Sequence, residues 1–255
     1  METNLKNKFL ELWQGFFGDA ELPIVFYYTE GDGGAEKQEK QKGWSCLIGQ
    51  LSKVRMGKPL YFNTDSLGCG GAQRYLGYAD TMRPDFEYFL SCGNEQMEGE
   101  RYKRTPEIVK ELMKNQRQLP VNGKNIVFKR WDKLIETDNP EVVIFFARPD
   151  VLSGLFTLAN YDHAEHNQVI APFGAGCGSI VHYPYLESLS ENPKAVIGMF
   201  DPSARPYVTS DILTFAVPMK KFKKMIGYME ESFLITKTWD TLKKRMDKAP
   251  GPNVH

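Results

Sequence analysis

Two of the four cysteines sit inside glycine-rich turns, Gly68-Cys69-Gly70-Gly71-Ala72 and Gly174-Ala175-Gly176-Cys177-Gly178-Ser179. Neighbours with little or no side chain leave a sulfur reachable. They also free N–H groups, such as those of Gly70, Gly71, Gly178 and Ser179, to point at an anion, a cofactor or a thiolate. The thiolate is the reactive form of cysteine, and a helix N-terminus or a nest of N–H groups lowers its pKa. A helix opening at Cys177 and running through Ile180 and His182 meets that condition, so Cys177 is the first expectation for a nucleophile and Cys69 the second. Thiol-based acyl transfer or redox chemistry suits either residue. A plainer alternative stands beside this one: the glycines let two backbones approach, and Cys177 is a small buried apolar residue.

Four thiols could also converge on zinc or an iron–sulfur cluster. The chain has no Cys-x-x-Cys pair, and the equal 23-residue intervals between Cys46, Cys69 and Cys92 match no common ligand loop. Metal ligation therefore stays an alternative. His163 and His166, beside Asp162 and Glu165, could form a metal pair or supply a base for Cys177, although an exposed polar loop explains them more simply. His182, five residues past Cys177, falls round the helix from the thiol. Arg205, in a loop that leaves an expected strand, offers a planar fork suited to a carboxylate or phosphate. Arg55 and Arg74, near the first cysteines, are of the same kind, with ion pairing as the structural alternative for all three. Neither glycine turn fits the phosphate-binding patterns G-x-x-x-x-G-K-[ST] or G-x-G-x-x-G, and no G-x-S-x-G elbow occurs.

The elements that must position these residues follow from periodicity. Leu5, Phe9, Leu12, Trp13 and Phe16 share one face of an N-terminal helix over 3–17, stopped by Gly18. Short β-rich runs predict strands at Pro23–Tyr28, Pro59–Phe62, Ile126–Phe128, Val142–Ala147, Ala195–Phe200 and Leu213–Val217. The run from Val142 reads as central because it is apolar throughout. The polar stretch Glu30–Lys42 reads as a mobile loop, with order resuming at Trp44–Leu51, and 83–104 reads as irregular. Thr105-Pro106-Glu107 supplies an N-cap, a first-turn proline and an acid for a helix, and Pro149–Asn160 is helical. Helical spacing continues over 220–247, before Pro250-Gly251-Pro252. The mixture predicts an α+β fold with a mixed sheet and packed helices, as one domain over 1–255. Strand, cysteine and strand succeed one another in both 19–104 and 138–218, which suggests two similar halves around a shared site.

Composition bounds the rest. With 255 residues, 42% hydrophobic and 13% aromatic, the chain can bury a large core and is not a disordered one. Its 32 basic and 32 acidic residues cancel, so no overall field draws it to nucleic acid or an anionic membrane. No apolar run is long enough to span a bilayer, and the N-terminus enters an amphipathic pattern without a signal-peptide core. The expectation is a cytoplasmic protein with reduced thiols and no nucleic-acid or membrane partner.

Cys46-Leu47-Ile48, the two glycine turns, Ile180 and Asp201-Pro202-Ser203-Ala204-Arg205 together resemble the uncharacterised prokaryotic family known as domain of unknown function 169, from about Leu5 to Phe233. The resemblance implies a bacterial or archaeal protein and brings no assigned reaction. The residues themselves predict a small anionic ligand or cofactor held by Gly68, Gly70, Gly71, Gly176, Gly178, Ser179 and Arg205, with Cys177 or Cys69 as a reactive thiol. The alternatives are a non-catalytic binding or regulatory module with structural cysteines, and a cysteine-ligated metal or iron–sulfur protein. No particular cofactor or oligomeric state is implied.

Overall fold

The computed structural model describes residues 3–43 and 45–246. Trp44, the end of the expected last helix at Asp247 and the Pro250-Gly251-Pro252 tail lie outside them. The strands are β1 (Ile24–Thr29), β2 (Glu36–Lys37), β3 (Leu60–Phe62), β4 (Gly93–Asn94), β5 (Met97–Glu98), β6 (Asn125–Arg130), β7 (Val142–Ala147), β8 (Val169–Ile170), β9 (Ala195–Gly198) and β10 (Leu213–Pro218). Eight of them form one mixed sheet in the order β2-β3-β6-β1-β7-β10-β9-β8, and β4 and β5 form a separate hairpin.

The sheet is symmetric about its middle. Outward from the antiparallel β1·β7 pair, each side adds an antiparallel strand (β6 or β10), then another (β3 or β9), and ends on a parallel two-residue edge (β2 or β8). The first set of strands extends to Arg130, beyond the 19–104 range expected for a half. Central β7 alternates Val142, Ile144 and Phe146 on one face with Val143, Phe145 and Ala147 on the other, and all six are buried. Both faces of a central strand are covered, which is why its sequence is a continuous apolar run.

Helices α1 (Thr3–Phe17), α7 (Pro149–Ala159), α9 (Met219–Tyr228) and α10 (Lys237–Met246) cover one face. There Phe9, Trp13 and Phe17 of α1 pack with Trp131, Phe145 and Phe222, and the Trp13 and Phe17 rings stack at 4.2 Å. The other face carries α2 (Leu47–Gln50), α3 (Ser52–Arg55), α4 (Gly70–Tyr75) and α8 (Tyr183–Ser188). All the residues of the two glycine turns lie among these elements.

Two stretches differ from expectation. The polar run 30–42 contributes β2, because Gln38 donates its N–H to the Tyr61 carbonyl at 2.9 Å and its side chain is buried. The stretch 83–104 holds α5 (Phe86–Leu90) and the β4–β5 hairpin, entered through Asp85 in the left-handed region at φ 59°. The helix after Thr105, α6 (Pro106–Asn115), is capped as expected, with the Thr105 hydroxyl accepting from the Ile108 N–H. No helix of the described residues is long and apolar enough to cross a membrane.

Candidate functional site

Three helices start close together on the second face, and each start carries a cysteine. Cys46 is the N-cap of α2 and Cys69 the N-cap of α4. Gly176 and Cys177 are the first residues of a helix that passes through a π-turn, Gly178–His182, before becoming α8. Pro184 has no N–H to donate one turn back, and the hydrogen-bond ladder widens in the turn before it.

The glycines explain how the starts come so near. A Cβ on Gly176 would lie 2.8 Å from Ala204 Cβ and 3.3 Å from Ile48 Cγ1 of α2. One on Gly178 would meet the Tyr75 ring of α4 at 2.9 Å, and one on Gly68 would meet Ser45 Oγ at 2.7 Å. These three positions are filled by the protein itself. Gly70 faces open space, and a Cβ on Gly71 would make only an ordinary contact with Cys69 Sγ at 3.5 Å. Ser179 Oγ is engaged internally: it donates to the Gly176 carbonyl at 2.8 Å and accepts from the Met199 N–H at 3.4 Å. Met199, buried and at φ 69°, turns the chain out of β9 toward Asp201.

Asp201 sets the charge of the cluster. One oxygen accepts the Gly176 N–H at 3.1 Å, so the helix start beside Cys177 already faces a carboxylate. The other accepts from Ser203 N–H and Oγ. This reverses the expectation of a lowered Cys177 pKa. Burial pushes that thiol well up, and Cys69, Cys46 and Asp201 push the same way, against a weaker pull from its own backbone N–H. Burial likewise raises Cys46, opposed by the N–H groups of Gly49 and Ile48. Cys177 is buried, Cys46 and Cys69 are half-buried, and Cys92 is exposed on the β4–β5 hairpin. Three thiols thus lie within electrostatic reach of one another. Among the described residues no group of three or more His, Cys, Asp or Glu is arranged to hold a metal ion.

The three arginines singled out by sequence differ sharply. Arg55 is buried against Glu21 in a two-bonded pair at 2.6 and 2.7 Å, and its guanidinium lies 4.4 Å over the Phe146 ring. Arg205 ties its own loop together by donating to the carbonyls of Ile212, Ser210 and Thr209. Arg74, on α4, is buried without such partners. Near it His182 is 1% exposed and titrates at about 4, because burial and then the Arg74 charge disfavour its protonation against a weaker opposing pull from the Arg117 backbone. His163 pairs with Asp162 at 3.3 Å beside Lys221, Lys224 and Tyr228 of the opposite layer, so it is no base for Cys177.

Sequence reading missed the roles of Asp201 and Gln116. Asp201 carried a signal, because Asp-Pro-Ser after a strand is turn chemistry that leaves a carboxylate oxygen for a nearby helix start. Gln116, which faces the Tyr75 hydroxyl, carried none. Fold and site together define an α+β protein with three thiols gathered at helix starts on one face of a symmetric sheet. The chain belongs to the domain of unknown function 169 family, described as uncharacterised ArCR, which matches residues 22–227. Comparison with curated proteins and with solved structures gave no match.

Proposed function

We propose that the protein binds a small anionic ligand or cofactor where the starts of α2, α4 and the Cys177 helix meet, with Cys69 as the reactive thiol. The observation that carries this reading is the gathering of Cys46, Cys69 and Cys177 from three distant stretches of chain. Cys69 takes the reactive role from Cys177 because it is half-buried and borders the open space at Gly70, while Cys177 is buried and holds its proton. Gly70 and Gly71 then remain as ligand contacts. The proposal places the protein in a reducing cytoplasm, with a small molecule rather than nucleic acid as partner.

Titration with a chromogenic thiol reagent tests it, in a Cys92→Ser background that removes the exposed hairpin thiol. One fast-reacting thiol at neutral pH, lost in Cys69→Ser, is the expected result. A second reading, a binding module with structural cysteines, is favoured by the packing roles of Gly68, Gly176 and Gly178. It predicts no reaction before unfolding.

A further inference from the structure

Among the described residues four cationic side chains are buried: Arg55, Arg74, Lys129 and Lys221. Arg55 has Glu21, Lys129 has Asp138, and Lys221 donates to Gln168 Oε1 at 3.2 Å. Arg74 is 6% exposed, and among the described residues its guanidinium makes no hydrogen bond or ion pair; its Nε is fully enclosed. A lysine could shed its proton, but a guanidinium remains charged, and buried charges are ordinarily paired. Gln116 Nε2 and both ring nitrogens of His182 are enclosed as well. The Tyr75 ring stands 5.5 Å from the His182 ring, and its hydroxyl meets the Gln116 amide.

We infer that Arg74 binds the carboxylate of a small organic acid between α4 and the π-turn, with Gln116 and His182 as further donors. A guanidinium presents a planar fork that matches the two oxygens of a carboxylate. Charge balance selects a monoanion: the imidazole is neutral, so the buried guanidinium offers one positive charge, and a phosphate dianion would leave a negative charge uncompensated in a buried place. His182 shows that the Arg74 charge is felt without a counter-ion, because that charge helps hold its titration down to about 4. Tyr75 connects the two regions, touching the Cys177 field on one side and the Gln116 amide on the other. The inference names the charged end of the ligand proposed above and rests on that reading only for placing a thiol near the bound acid.

Thermal unfolding of the full chain, in sodium acetate or sodium propionate against sodium chloride of equal ionic strength, tests this. At about a hundredfold excess over the dissociation constant, Tm should rise by about 5–10 °C. Inorganic phosphate should give a smaller rise. Arg74→Met should melt at or above the wild-type temperature without ligand and lose the acetate response. Cys69→Ser should keep the response, which separates failure of the thiol role from failure of the anion site. No carboxylate response in the wild type, a response that persists in Arg74→Met, a larger response to phosphate, or a lowered Tm in Arg74→Met each overturns the inference.

Discussion

Replacing Asp138 by Asn would put Lys129 in the condition that Arg74 occupies natively. The Asp138 carboxylate accepts from Lys129 Nζ at 2.7 and 2.8 Å, from the Ile135 N–H at 2.8 Å and from the Tyr27 hydroxyl. Both ionic side chains are 2% exposed. The amide keeps the volume and can still accept from one or two of these donors, but the charge is gone. Breaking a buried pair by removing one partner costs about 3–5 kcal/mol. The ammonium can deprotonate, which limits the cost and favours the lower end of that range. At about 2–4 °C per kcal/mol for a chain of this size, Tm should fall by about 6–20 °C. Urea unfolding followed by tryptophan fluorescence reads the loss directly, with an unchanged denaturant slope showing that the fold is retained. A Lys129→Met/Asp138→Asn double variant, which removes the unpaired ammonium and keeps an amide oxygen for the Tyr27 hydroxyl or the Ile135 N–H, should recover most of it. A loss below about 1 kcal/mol would refute the reasoning, because an uncompensated buried charge would then be cheap in this fold and the unpaired Arg74 would no longer point to a ligand.

Three further outcomes follow from the same geometry. Gly176→Ala drives a Cβ to 2.8 Å from Ala204 and 3.2 Å from Met199 Sδ. It should cost about 1–3 kcal/mol in urea unfolding, and the thiol of Cys69 should become less well protected by added ligand as the helix starts separate. His182 titrates at about 4 in the folded protein against an ordinary 6.5, so the unfolded chain takes up that proton first. Stability should therefore climb as pH rises between these values, by at most about 3 kcal/mol, and His182→Gln should flatten this limb of the pH–stability curve. The raised Cys177 pKa acts at the other end: its contribution is whole below the ordinary thiol range and is lost as pH climbs past it. Cys177→Ser should reduce the alkaline loss that begins near about pH 8.5.

Strands were legible where burial is two-sided. The run Val142–Ala147 has no polar residue, and it is the sheet's centre; Pro23–Tyr28 was found one residue early because its apolar pattern begins at the turn. The edge strand β2 was not legible, since two residues paired only through backbone atoms leave no pattern in their side chains. The two cysteine turns were visible in the sequence as chemistry. Their glycines could be read equally as ligand nests or as points of close packing, and contacts such as Gly176 with Ile48 join residues far apart in the chain. The pKa of Cys177 was misjudged for a related reason: a helix N-terminus does lower a thiol pKa, but burial and the Asp201 carboxylate are properties of the tertiary arrangement and outweigh it. Among Arg55, Arg74 and Arg205, only the folded chain reveals which has no partner.

The central claim is that Cys69 is the reactive member of a three-thiol site. Peptide mapping after brief iodoacetamide treatment of the native protein at neutral pH tests it most directly. Cys69 should be carboxamidomethylated along with exposed Cys92, Cys46 more slowly, and Cys177 only after unfolding. Labelling of Cys177 ahead of Cys69, or no labelling of Cys69 until the protein unfolds, would contradict it.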